Sequence, residues 1–385
     1  MLAQRLEFSP AEDAQFFAAL PAAPAVFALH SGSADAEPYV SKTANLRRRL
    51  QRLLGRPEES SKRLNLRDRV QSVEFTGTGS DFESGFLLYQ LLREIFPKAY
   101  GARMRFRFAA LVKVHLENAY PRASVTRRLG RLQGKAAYYG PFPSRAFAEK
   151  FASDSLDYFK MRRCVEDLAP DPNFPGCVYS EMKMCLAPCF KGCSDEEYRG
   201  EVERVRSYFD SGGASLFREL SSQRDSASAE LQFEQASALH ARLEKLKPLL
   251  NQLPELVRRI DELKAVLIQR SADTGAVNFF RVDEGCIAGP FAFCIQPVEH
   301  TRPQSMEARA EELLRTSPKA EPRSALEVME HLAILKRWYF RGTRKGEIFM
   351  ADAGGTLPLR RIVRGISRVY RNEPAQVENP PTLEN

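Results

Sequence analysis

The sequence contains no run of about 18 uncharged apolar residues, which is the length that a membrane-spanning helix requires. Its first ten residues also lack a basic stretch leading into an apolar one, so no secretory signal is predicted. The five histidines are scattered and form no His-Glu-x-x-His motif, so each is expected to be structural or exposed rather than catalytic. We therefore expect a cytoplasmic protein that has no membrane partner.

The composition is that of an ordinary folded chain, and the charge is unevenly distributed. The 385 residues are 43% hydrophobic, and their number predicts two or three domains. The net charge is +8, with ten Lys or Arg against three acids in residues 41–70 and nine against Glu117 alone in residues 101–135. Aromatic residues interleave with the second group, which favours nucleic-acid binding. A solvated basic helix face is the alternative interpretation.

Hydrophobic patterning over the first 160 residues predicts alternating strands and helices. Asn45 caps a basic helix that runs to residue 54, and Ser80 with Glu83 forms a capping box before an apolar helix over 82–96. Pro97 ends that second helix. The remaining predicted strands lie at 25–29, 38–40, 70–76, 110–116 and 124–128, and a third helix lies at 144–159.

The second half of the chain begins with a long helical pattern. Residues 195–269 read as helix almost throughout, with breaks at 211–214 and at Pro254. An apolar stripe within it is either part of the core or a surface that docks a partner's helical hairpin. The stripe consists of Leu231, Phe233, Ala236, Leu239 and Leu243. Strands at 277–281 and 286–296 and helices at 305–314 and 325–338 follow.

Five of the seven cysteines lie between Cys164 and Cys193, with the spacing C-x12-C-x7-C-x3-C-x3-C. In a chain without a secretory signal, such crowding indicates metal or iron–sulfur ligation more than disulfides. A coincidental group of reduced core thiols is the alternative. Four soft thiolates would suit an iron–sulfur cluster or zinc equally well on spacing alone.

Four motifs occur in a fixed order along the chain. They are PAVF (24–27) with YVSKTANLRRRL (39–50), YYGPFPS (138–144), the cysteine region with RC (163–164), PGCVY (175–179) and CLAPC (185–189), and ELQFEQA (230–236). In this order they resemble, over about residues 15–300, the N-terminal portion of the UvrC family, whose members are the incision subunits of bacterial nucleotide excision repair. The first motif is similar to a GIY-YIG nuclease core, and the last is similar to the UVR motif that engages UvrB.

The resemblance implies an α+β fold with five parts. A GIY-YIG-like domain with a small mixed sheet flanked by helices spans 15–105, and closing strands, a helix and the cysteine cluster span 106–195. A helical region with the UVR-like hairpin spans 196–270, a small C-terminal α/β region spans 271–372, and a disordered tail spans 373–385. Roughly 90 residues follow Cys294, too few for both the second nuclease and the DNA-binding repeats that end UvrC proteins.

The resemblance also implies a nuclease site that has lost two groups. Tyr39 holds the second tyrosine position, Lys42 follows it, and Arg49 holds the phosphate-binding position. The first tyrosine position holds Phe27, which has no oxygen, and the position of the metal-binding glutamate, nine residues before Pro97, holds Leu88. Leucine cannot ligate a divalent cation. Glu83 and Glu94 lie about 140° and about 120° away around the helix, so neither replaces the missing ligand without a shifted site.

The resemblance gives further site residues and partners. DNA would be bound by Lys42, Arg47, Arg48, Arg49 and Arg52. Cys164, Cys177, Cys185 and Cys189 match the iron–sulfur positions of UvrC proteins, and Cys193 is an additional candidate. UvrB would be bound by Phe233, flanked by Leu231, Ala236 and Leu239.

We therefore expect a UvrC-like repair protein that binds DNA and UvrB while its incision activity is lost or weak. Two alternatives stay open at this point. One is a truncated GIY-YIG endonuclease that makes a single incision in damaged DNA with Mg²⁺ or Mn²⁺. The other is a non-catalytic regulator that competes for UvrB. Magnesium or manganese is expected only if the nuclease site is active.

Overall fold

A computed structural model describes residues 2–33, 36–56, 64–131, 134–296 and 304–374. Within these residues the chain forms helices and three antiparallel sheets of four strands each, so the predicted α+β class is confirmed. Most of the predicted tail, residues 375–385, lies outside the described residues. No helix in the described ranges combines the length and the apolar character needed to cross a membrane.

The first sheet has the strand order β1-β4-β2-β3. Its strands are β1 (Gln4–Glu7), β2 (Ala25–Ser31), β3 (Tyr39–Thr43) and β4 (Val70–Gly77). All of its neighbouring strands are antiparallel, so the prediction of a mixed sheet is wrong. The strands β3 and β4 run in the same direction, but β2 lies between them and no parallel pair forms.

Two helices cover the first sheet, namely α1 (Asp13–Ala19) and α2 (Leu46–Leu54). The predicted cap is present, because the Asn45 side chain accepts a hydrogen bond from the Arg48 backbone N–H at 2.9 Å. Leucines at 46, 50, 53 and 54 are buried, which is the helical spacing of one face, and they pack in one core with Phe27 and Phe75. The basic residues of α2 therefore lie away from this core.

The second sheet has the order β6-β5-β7-β8 and lies beside a group of helices. Its strands are β5 (Ala110–Val114), β6 (Ala123–Thr126), β7 (Ala137–Phe142) and β8 (Arg258–Arg259). The helices are α5 (Arg145–Leu156), α6 (Val178–Glu181), α7 (Asp195–Asp210), α8 (Ala214–Ala229) and α9 (Phe233–Asn251). Side chains from the sheet and from α5, α7, α8 and α9 share one buried core.

The helical pattern predicted for 195–269 is correct only as far as Asn251. Beyond Pro254 the chain forms β8 and then β9 (Ala265–Arg270), which is a strand of the third sheet. The run Ala265-Val266-Leu267-Ile268 is buried on both faces of that sheet. A continuous apolar run of this length does not distinguish a buried strand from a helix, which explains the error.

The third sheet has the order β11-β10-β9-β12. Its other strands are β10 (Ala276–Asp283), β11 (Cys286–Cys294) and β12 (Glu347–Met350). One face packs against α10 (Met306–Thr316) and α12 (Leu359–Arg371), and the other packs against α11 (Ala325–Tyr339). The strands and helices predicted here are thus confirmed.

Helix α3 (Asp81–Ile95), which is followed by α4 (Tyr100–Met104), joins the first sheet to the third. It contacts β2 and β3 on one side and α11 on the other. Phe82, Phe86 and Tyr89 belong to the same buried core as the inner residues of α11 and of strands β9 and β10. The apolar helix that the sequence predicts therefore packs against two parts of the molecule at once.

A buried histidine on α11 makes the stability of this core depend on pH. Burial lowers the pKa of His331 to about 4, and its Nδ1 accepts the Ile287 backbone N–H at 2.9 Å. Because the folded-state pKa lies below the ordinary value of 6.5, the neutral form stabilises the fold above that pH. This stabilisation is lost as the pH falls from 6.5 towards 4.

We expect the His331→Asn variant to lose that pH dependence, because the asparagine oxygen can accept the same backbone hydrogen bond but does not titrate. Between pH 6.5 and 4, the unfolding free energy of the wild type should fall by about 3 kcal/mol more than that of the variant. Urea unfolding at a series of pH values measures this difference. The exposed His240→Asn variant should behave like the wild type, and equal pH profiles for His331→Asn and the wild type would contradict the expectation.

Candidate functional site

Three residues of the nuclease-like motif meet at the edge of the first sheet. Tyr39 lies on β3, and its hydroxyl accepts a hydrogen bond from the Arg49 guanidinium on α2 at 3.0 Å. Phe27, which pairs with Ser41 across the two strands, is fully buried, and its ring centre lies 6.2 Å from that of Tyr39. The predicted Tyr39 and Arg49 are thus brought together, and the Phe27 ring fills the space beside them without supplying an oxygen.

Lys42 is held by an acid that the sequence interpretation missed. Its Nζ lies 2.6 Å from Oδ1 of Asp81, the first residue of α3, and the other oxygen of Asp81 lies 2.6 Å from Arg341, beyond the end of α11. Partial burial would raise the pKa of Asp81, but the neighbouring Lys42 and Arg341 together lower it. Asp81 is therefore a carboxylate whose charge is balanced by two cations from distant parts of the chain.

Helix α3 presents no carboxylate at the position expected for a metal ligand. The Lys42 ammonium lies over Gly85, where an added Cβ would stand 3.7 Å from Nζ. Leu88 is half-buried and lies about 60° further around the helix from Gly85. Glu83 is buried instead, where it accepts hydrogen bonds from the Gly79 N–H at 2.8 Å and from the Asn278 amide at 3.0 Å. Burial raises its pKa.

A divalent cation does not fit this arrangement. Within the described ranges, no three His, Cys, Asp or Glu side chains are grouped so that they could hold a metal ion. Asp81 is neutralised by two cations, and Glu83 is committed to hydrogen bonds inside the protein. The chemistry available here is positive charge and hydrogen-bond donation, which suits binding of a phosphate.

The predicted DNA-binding residues of α2 fall into two groups. Arg47 donates hydrogen bonds to the backbone oxygens of Leu20 at 2.7 Å and Ala18 at 3.3 Å, so its guanidinium ties α2 to the end of α1. Arg48 and Arg52 are exposed and lie one turn apart. Together with Lys42 and Arg49, which have partners inside the protein, they make this side of the molecule basic.

The cysteine region forms an irregular loop between α5 and α7. Burial raises the pKa of the Cys185 thiol to about 11, and the charges of Cys164, Cys189 and Cys177 add to that effect. The charges of the four predicted ligands influence one another, and thiolates suit iron or zinc, but in the described residues no three of them are grouped so that they could hold a metal ion. None of these described cysteines forms a disulfide. Burial also raises the pKa of Cys193, where the next contributions come from Glu197 and Asp195.

The predicted docking stripe is divided at the tip of the hairpin between α8 and α9. Leu231 has a left-handed φ of 58° in the turn, so it does not belong to a helix, and its side chain is 71% exposed. Phe233 begins α9 and is 66% exposed. Ala236 is partly buried, whereas Leu239 is only 7% exposed and packs in the chain's own core. Leu239 is therefore covered by the chain's own core in this structure, and its role in a partner contact stays a prediction.

Residues 110–208 match the family model of the UvrC/Cho excinuclease middle domain. This match covers β5 to β7, α5, the whole cysteine loop and most of α7. The middle of the chain is thus a domain of the UvrC/Cho class.

Curated proteins extend the similarity beyond that domain. The chain is 26% identical over 263 residues to the UvrABC system protein C of Methanothermobacter thermautotrophicus, covering 67% of this chain and 43% of that protein. It is 25% identical over 271 residues to that of Aliivibrio fischeri, covering 70% of this chain and 44% of that protein. It is 26% identical over 289 residues to that of Desulforudis audaxviator, covering 75% of this chain and 46% of that protein. The chain is therefore similar to proteins of the UvrC family in its middle domain and beyond it.

The chain spans less than half of the length of these curated relatives. No solved structure matches it. The geometry of the site therefore comes from this chain alone.

Proposed function

We propose that this chain acts in nucleotide excision repair as a protein that binds DNA and UvrB and whose nuclease-like site has little or no incision activity. The observation that carries the proposal is the hydrogen-bonded Tyr39–Arg49 pair beside Phe27, in a chain that is similar to UvrC proteins and has Leu88 at the expected position of the metal ligand. The groups that hold a phosphate are present, whereas a hydroxyl and a metal ligand of the nuclease motif are not.

The electrostatics of the site support phosphate binding in preference to cleavage. Arg49 can hold a phosphate oxygen while it keeps its hydrogen bond to Tyr39, since a guanidinium has several donors. Lys42 would have to exchange the Asp81 carboxylate for a phosphate, which leaves the number of ion pairs unchanged. Phosphodiester cleavage in addition needs a group that stabilises the charge developing on the leaving oxygen, and Leu88 supplies none.

The active endonuclease is the second candidate function. It would need a metal held by other acids, and Asp81 is the acidic side chain in contact with Lys42. Because Lys42 and Arg341 already balance its charge, a cation there would be repelled by two neighbouring positive charges. The second candidate is therefore disfavoured by this arrangement.

The exposed tip of the hairpin supports the proposal that UvrB is a partner. A soluble protein rarely leaves a phenylalanine two-thirds exposed beside an exposed leucine unless another surface covers them. Phe233 would anchor the contact, with Leu231 beside it and Ala236 allowing close approach. The same docking would also serve a regulator that competes for UvrB.

The cysteine loop is proposed to hold an iron–sulfur cluster, with zinc as the alternative. Cys164, Cys177, Cys185 and Cys189 would be the ligands, and the bound group would stabilise an irregular segment that has little regular secondary structure. The Cys164 sulfur accepts a hydrogen bond from the buried Arg162 guanidinium at 3.3 Å, which helps to hold this side chain in place.

The weak incision activity that we propose can be tested in vitro. Anaerobically purified protein, with UvrA, UvrB, ATP and Mg²⁺ or Mn²⁺, should bind a lesion-bearing duplex but nick it weakly or not at all. The double variant Phe27→Tyr, Leu88→Glu should gain metal-dependent nicking, and Phe27→Tyr, Leu88→Gln should not, because a neutral amide lacks the negative charge with which a carboxylate binds Mg²⁺. Strong nicking by the wild type that Arg49→Ala abolishes would show that the site is an active nuclease.

The proposed contact between the hairpin tip and UvrB can be tested by substitution of Phe233. Phe233→Ala should weaken the binding of UvrB by about 30-fold, which is the loss typical of a central aromatic contact, without lowering the melting temperature. Titration calorimetry measures the dissociation constant. Leu326→Ala, which removes another exposed apolar side chain on α11, should bind like the wild type. Unchanged affinity of Phe233→Ala would remove the hairpin tip from the interface.

The proposed metal ligands among the cysteines can be tested by metal and sulfide analysis. Anaerobic protein should contain iron and acid-labile sulfide, and Cys185→Ser should lose both together. Cys294→Ser, at an exposed position on β11, should keep the wild-type content. Zinc without sulfide would select the alternative metal, and a Cys185→Ser variant with full metal content would contradict the proposed ligand set.

A further inference from the structure

Three basic side chains from separate segments lie close enough near the end of α11 for their charges to interact. Lys336 lies in the last turn of α11, Arg107 follows α4, and Arg127 follows β6. Phe106 and Phe108, on either side of Arg107, stack at 5.9 Å and pack against the same core as the inner face of α11. Leu129 packs against that core as well, so all three segments are anchored on one core.

Local contacts define the backbone that carries these residues. The chain leaves α4 through a left-handed turn at Arg105, where φ is 50°, and residues 106–109 have no regular secondary structure. After β6, the Thr126 hydroxyl accepts the Arg128 backbone N–H at 3.0 Å, which fixes the turn at Arg127. The positions of the two arginines are therefore set by the core and by these turns.

The positive charges of this cluster are not balanced. Within the described parts of the chain, none of Arg107, Arg127 and Lys336 has an ion-pair partner. Lys336 is half-buried; burial lowers its pKa, and the charges of Arg127 and Arg107 lower it further. Arg128 and Arg337 lie next to the cluster in sequence and are exposed. Like charges held together in this way raise the energy of the free protein, and a bound anion would lower it.

The surroundings indicate which anion would bind. The large exposed apolar side chains of the described residues all lie elsewhere, and the aromatic rings near the cluster are partly buried. Single-stranded nucleic acid is bound largely by stacking of bases on exposed rings, which this surface does not provide. Cations spread over three segments suit the successive phosphates of a duplex.

We propose that Arg107, Arg127 and Lys336 form a second binding site for the phosphodiester backbone of double-stranded DNA, separate from the face of α2 that carries Arg48 and Arg52. The inference rests on the proposed function, since it adds a contact to the same class of ligand. The site joins the middle domain to the C-terminal region, because two of its residues lie before β7 and the third on α11. A duplex that reached both surfaces would be held at two points along its length.

The test is the salt dependence of binding to an undamaged duplex by the full chain. The triple variant Arg107→Gln, Arg127→Gln, Lys336→Gln should reduce the slope of log affinity against log salt by about 2 to 3, because each phosphate contact contributes about 0.9. A matched triple variant at exposed arginines of α5, α7 and α8 (Arg145→Gln, Arg199→Gln, Arg218→Gln) removes the same net charge. Its slope should stay near the wild-type value.

The outcomes separate the inference from the proposed function. A wild type that does not bind duplex DNA would overturn both. A wild-type slope in the triple variant, together with a reduced slope in Arg48→Gln, Arg52→Gln, would overturn the second site alone. An equal loss of single-stranded and duplex binding would overturn the assignment to a duplex. If the triple variant unfolds, the single variants at the exposed Arg107 and Arg127 should each reduce the slope by about 0.9, and unchanged slopes in both would overturn the inference.

Discussion

Helix α3 is buried on two sides, and its polar side chains Tyr89 and Arg93 are satisfied by residues more than 200 positions away. Both oxygens of Glu330 on α11 accept hydrogen bonds, from the Tyr89 hydroxyl at 2.9 Å and from the Tyr100 hydroxyl at 2.8 Å. Arg93 pairs with Glu327 one turn earlier on α11. A buried carboxylate without partners would cost several kcal/mol, so these contacts fix the rotation of α3 against α11. That rotation in turn decides which residues of α3 face the first sheet.

The electrostatics of the candidate site depend on this packing. With α3 held in place, its first residue, Asp81, reaches Lys42 on β3, and Arg341 beyond α11 reaches the same carboxylate. The lysine of the nuclease-like motif is therefore balanced by the protein itself, while Arg49 stays beside Tyr39. A phosphate entering this region meets one available guanidinium and must compete for the ammonium. Under the proposed function, an anion would exchange with Asp81 at this site.

Local signals in the sequence were sufficient to predict part of this arrangement. The caps at Asn45 and Ser80 each depend on a side chain and a backbone N–H three residues apart, so they were predictable. The Tyr39–Arg49 pair followed from the motif. Asp81 and Arg341 were missed because their contacts join residues 39 and 260 positions apart, which no local pattern records. Leu231 was misplaced because its left-handed backbone interrupts a stripe that has helical spacing in the sequence.

The packing of α3 also accounts for the unbalanced charge at the other end of α11. The acids of that helix, Glu327 and Glu330, lie in its first half and are used by Arg93, Tyr89 and Tyr100. Its bases, Lys336 and Arg337, lie in the last turn, where positive charge also suits the helix dipole. Because the acids face inward, nothing on α11 remains to neutralise Lys336 when Arg107 and Arg127 come close to it. The contacts that orient the nuclease-like site therefore also leave a basic surface exposed at the junction with the middle domain.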